Sequence, residues 1–72
     1  MPNIIVSLTR EMSRVRALLL VMEPMQRHQA ELTLHFASQY MAMNDLGGMN
    51  EALDDLRQFS ADPKKPAPEV RG

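Results

Sequence analysis

Two histidines and a glutamate, His28, Glu31 and His35, are the side chains that most invite a metal or acid–base reading. Glu31 and His35 stand four positions apart, so they can meet on the surface of a helix. His28 and His35 lie two turns apart, about 10 Å along the axis, which is too far to share one ion within a single helix. No third histidine and no cysteine is present to complete a ligand set. The trio therefore reads as a solvated polar face, and no metal or other cofactor is expected. Of the seven methionines, all but Met1 are internal: Met12, Met22, Met25, Met41, Met43 and Met49. Thioethers suit copper(I), but these residues fall on apolar faces, where methionine is an adaptable filler of cores and interfaces.

Arg10, Arg14, Arg16 and Arg27 could contact phosphates. Arg16 points away from the side shared by Arg10 and Arg14, and Glu11 and Glu23 dilute the field. With eight basic and nine acidic residues, the net charge of −1 lacks the footprint of a protein that holds a polyanion by charge. Ser7, Thr9, Ser13, Thr33 and Ser38 have no neighbouring histidine with an orienting third group. No glycine-rich phosphate loop is present. A catalytic site is not expected.

The elements that carry these residues read as helices. Ile5, Leu8, Met12, Val15, Leu19 and Met22 follow a 3-4-3-4-3 spacing, one stripe of an α-helix covering about residues 4–22. The β-branched start, Ile4-Ile5-Val6, fits a short strand equally well. Glu23-Pro24 breaks the pattern, because proline disturbs the residue before it yet suits a first helical turn. A second helix is expected over about 24–45, turned back as an antiparallel hairpin or continued past a kink. Gly47-Gly48 is expected to end it, and a short third helix over about 49–59 carries Met49, Ala52, Leu53, Leu56 and Phe59 on one side. Residues 60–72 hold three of the five prolines and one large apolar residue, Val70, and are expected to form a disordered tail. Pro63-Lys-Lys-Pro66-Ala-Pro68 within it is compatible with polyproline II.

Helix two has two apolar stripes. Met25, Leu32, Phe36, Tyr40 and Met43 share one face at about 100° per residue, and Ala30, Leu34, Ala37 and Met41 share another. One stripe suffices for an ordinary surface helix, so the second needs an additional partner. Ala30, Leu34, Ala37 and Met41, with Leu18 and Val21 beside them, are the expected protein interface. A foldable part of roughly 58 residues is marginal for one core, and partner chains are the staple left to it without disulfide or metal.

Asn3-Ile-Ile-Val-Ser-Leu8 followed by two helices resembles, in order of elements over about 45 residues, a ribbon-helix-helix repressor. That resemblance implies an intertwined dimer with a two-stranded ribbon in the DNA major groove. Its outward positions would be Asn3, Ile5 and Ser7, of which only Asn3 is a good base reader.

The expected protein is thus all-α, a helical hairpin with a short third helix, forming a homodimeric bundle. Its expected role is that of a non-enzymatic interaction module, an adaptor, inhibitor or chaperone-like regulator. DNA-binding regulation is the alternative. The expected partners are a second copy and another protein, with no nucleic acid, membrane or small-molecule substrate. Ala17-Leu-Leu-Leu-Val-Met22 is too short to span a bilayer and lacks a cleavage site. Together with the absence of cysteine, this points to the cytoplasm.

Overall fold

Asn3 opens the first helix: its backbone is extended, and its side-chain oxygen accepts a hydrogen bond from the Ile5 amide at 2.9 Å. This is the standard way to satisfy an orphan donor at a helix start. A computed structural model describes residues 3–61, which form α1 (Ile4–Leu18), a 3₁₀ turn (Leu19–Val21), α2 (Pro24–Ala42) and α3 (Leu46–Ala61). There is no strand among the described residues, so the chain is all-α and the ribbon-helix-helix order does not form. β-Branched residues lower helix propensity by at most about 0.7 kcal/mol each. The Asn3 cap and the burial of Leu8, Met12 and Val15 on the inner face of α1 outweigh that at Ile4, Ile5 and Val6.

The α1 pattern runs into the 3₁₀ turn instead of continuing to Met22. Met22 and Glu23 are both extended, with ψ of 148° and 153°, as expected for a residue preceding proline. Helix α2 then starts afresh at Pro24, so the junction is a break and not a kink. Arg27 holds this junction: its Nε donates to the Leu19 carbonyl at 2.9 Å and its Nη2 to the Met22 carbonyl at 3.1 Å. The Leu19 carbonyl also accepts from the Met22 amide at 3.2 Å, so Arg27 adds a second bond there and reaches the extended Met22 beyond the turn.

The end of α2 corrects the reading of the glycines. Asn44, with φ of 56°, takes the left-handed conformation, and the amides of Asn44 and Asp45 bond to the carbonyls of Met41 and Tyr40. This paired closure uses an asparagine where glycine is commoner. Asp45 caps α3, its carboxylate accepting from the Gly48 amide at 3.0 Å. Gly47 and Gly48 therefore lie in the first turn of α3, which begins at Leu46 and not at Met49. At the other end α3 extends through Ser60 and Ala61, two residues expected in the tail. The rest of that expectation, 62–72, lies outside the described residues.

Helix α3 is the central element. It packs along both α1 and α2, which touch one another at far fewer positions. Met49, Ala52, Leu53, Leu56 and Phe59 are all buried, joining Leu8, Met12, Val15 and Met22 from the α1 segment and Ala30, Leu34 and Ala37 from α2 in one core. Gly48 is buried against Tyr40 so closely that a Cβ there would come within 2.4 Å of the ring. Glu11, on the inner side of α1, is also buried. It pairs with Arg14 at 3.3 Å and accepts a hydrogen bond from the Ser60 hydroxyl, joining the middle of α1 to the last turn of α3.

Candidate functional site

Helix α2 packs along α3 and touches α1 at few positions, so one of its sides is left open. Its inner face, made by Gln26, Ala30, Leu34 and Ala37, is buried, with Met41 half-buried and packed against the core. Its outer face carries Met25, Leu32, Phe36 and Met43, which are 72%, 44%, 46% and 65% exposed. At about 100° per residue these four fall within roughly 40° of one another, nearly opposite the core. Leu20 and Val21 are exposed at the junction end of α2, and Leu46 just beyond its other end.

The structure thus buries in its own core most of the stripe expected to face a partner, and leaves the other stripe exposed. Ala30, Leu34 and Ala37, expected at an interface with another chain, are consumed by packing within this one. Leu18 is half-buried and Val21 is exposed. The physical reason is size. Alanines at 30 and 37 fit a tightly filled interior and Gly48 leaves room for the Tyr40 ring, whereas Leu32 and Phe36 project from the other side. Both stripes are legible in the sequence, but choosing between them needs the residues of α3 that pack against α2.

Beside the outer face lies a shallow notch lined by Thr33, Phe36 and Tyr40 of α2 and Glu51, Ala52 and Asp55 of α3. Phe36 and Tyr40 stack with ring centroids 6.4 Å apart, and the His35 ring tilts against Phe36 at 5.9 Å. Partial burial raises the Asp55 carboxyl above its usual 3.8, and the charges of Glu51 and Asp54 push it the same way. The notch encloses about 70 Å³, well under the roughly 300–1,000 Å³ of small-molecule pockets. It can seat one side chain of another protein, with an aromatic wall on one side and carboxylates on the other. No hydrophobicity pattern announces it, because its two walls come from different helices.

The other residues with chemical potential are dispersed. Arg14 is paired with Glu11 and Arg27 is engaged with backbone carbonyls, so two of the four arginines considered for phosphate contacts already have structural work. The methionines divide between the core (Met12, Met22, Met49) and the outer face (Met25, Met43). Among the described residues no group of three or more His, Asp or Glu side chains is placed to hold a metal ion. None of their helices is long and apolar enough to cross a membrane. Comparison with protein-family models, with curated proteins and with solved structures finds no match for this chain.

Proposed function

We propose that this protein is a non-enzymatic interaction module, an adaptor, inhibitor or chaperone-like regulator that works by laying the outer face of α2 against a helical surface. The observation that carries this reading is the stripe Met25, Leu32, Phe36 and Met43, exposed on a chain that already has its own core. Apolar residues scattered singly over a surface are ordinary, but a contiguous patch marks a site of association. Methionine at both ends, with leucine and phenylalanine between, suits a surface that moulds to its partner. The mode is helix against helix or helix in groove, read by anchors three, four and seven residues apart. A cytoplasmic setting, drawn from the cysteine-free sequence, and a homodimeric state belong to the same reading.

The test places a photo-crosslinking amino acid at Phe36 in the source cell, with a second at exposed Asn50 on α3 as control. Covalent protein adducts are expected from position 36 and not from position 50. Equal labelling at both, or none at 36, would remove the outer face as an interaction site.

A further inference from the structure

The outer face of α2 has a finer pattern than a patch. Met25, Gln29, Leu32, Phe36, Gln39 and Met43 follow a 4-3-4-3-4 spacing, the seam of a coiled coil. Over the 19 residues of α2 the helix is about 28 Å long. Two of the six seam positions are glutamine. Polar residues in a seam lower stability and specify partner and register, since an apolar surface would leave their amides unpaired. A second copy supplies glutamines with the same spacing.

One flank of the seam is acidic and the other carries histidines. On one flank the notch brings Glu51 and Asp55 of α3 beside Thr33 and Tyr40. On the other lie His28 and His35, with Glu31 further round the helix. If two copies pair with their α2 helices antiparallel, like flanks meet and the acids of one copy face those of the other. If they pair in parallel, each acidic flank meets the histidine flank of the other copy, twice over. Like charges in contact are penalised, whereas an imidazole N–H can donate a hydrogen bond to a carboxylate.

We infer that a second copy of this chain covers the outer face of α2, with the two α2 helices parallel and Glu51 and Asp55 of each copy opposite His35 of the other. This rests on the reading of that face as an interaction surface, and it names the occupant and its direction.

The chain has no cysteine, so single cysteines report the pairing directly. Gln29→Cys and Gln39→Cys, each oxidised by itself, are expected to give disulfide-linked dimers, while Ser38→Cys, off the seam, stays unlinked. In the unlinked chain His35→Glu is expected to raise the dimer Kd by about tenfold, with far-UV circular dichroism unchanged. Linkage only in an equimolar mixture of the Gln29→Cys and Gln39→Cys chains would show antiparallel pairing and overturn the orientation. An unaltered Kd for His35→Glu would overturn the flank pairing. A chain of monomer mass that still crosslinks through Phe36 to a different protein overturns self-pairing and leaves the interaction reading intact. Monomer mass without any crosslink removes both.

Discussion

Gly47 and Gly48 are neighbours in sequence and in the same helical turn, yet their surroundings are opposite. A Cβ on Gly47 would meet only the Asp45 carboxylate at an ordinary 3.6 Å, whereas one on Gly48 would overlap the Tyr40 ring. Neither glycine has positive φ, so conformational freedom is not what either position requires. Gly47→Ala is therefore expected to stabilise the fold by about 0.4–1 kcal/mol through the unfolded chain. Gly48→Ala is expected to destabilise it by about 1–3 kcal/mol through overpacking. Urea unfolding of the two variants checks the contrast, and the Gly48→Ala cost should largely vanish in a Tyr40→Ala background. Glu11 makes a related point. On α1 it reads as one of the polar residues off the apolar stripe, but α3 returns over it and Ser60 donates to its carboxylate.

At the scale of elements, each helix boundary has an identifiable chemical cause. Asn3 and Asp45 cap α1 and α3 through side-chain oxygens, Pro24 opens α2, and Asn44 closes it. The junction between α1 and α2 depends on Arg27, whose guanidinium bonds two carbonyls from different points of the turn. Hydrogen bonds from a charged donor are worth about 1.5–3 kcal/mol. Arg27→Ala is accordingly expected to lower unfolding stability by about 2 kcal/mol. Arg27→Lys should recover only part of it, because an ammonium lacks the planar fork that reaches both oxygens. Equilibrium denaturation of the two variants gives the comparison. A loss confined to this junction would also expose the amides of 19–23 to faster hydrogen exchange.

For the molecule as a whole, the decisive arrangement is that α3 lies against both α1 and α2, leaving α2 with one face in the core and the opposite face in solvent. Two leucines two residues apart report on the two sides. Leu34 is buried and Leu32 is 44% exposed. Leu34→Glu is expected to unfold the chain, since it places an unpaired carboxylate in an apolar interior. Leu32→Glu should leave the monomer fold within about 0.5 kcal/mol of the parent, as surface substitutions do, while abolishing association. Circular dichroism melts combined with light scattering separate the two effects. If both variants unfolded, α2 would not have the sidedness described.

Legible in the residues alone were the helical class, the Leu8, Met12 and Val15 part of the α1 stripe, the break at Glu23-Pro24 and the inner side of α3. All of these follow from local rules: periodicity along one segment, proline geometry, and the spacing of large apolar residues. The helical reading of Ile4–Val6 and the closure of α2 were less legible, because an asparagine at residue 3 and another at 44 acted where β-propensity and a glycine pair gave the louder signals. Which of the two stripes on α2 faces inward follows from the packing of α3 and not from α2 itself. The outcome depends on what α3 presents to α2, with Gly48 making room for Tyr40 and Met49, Ala52 and Leu56 sharing a core with Ala30 and Ala37. A helical wheel of one segment holds no information about the segment that packs against it. The notch of Phe36, Tyr40, Glu51 and Asp55 emerged for the same reason, from two walls that only the fold brings together.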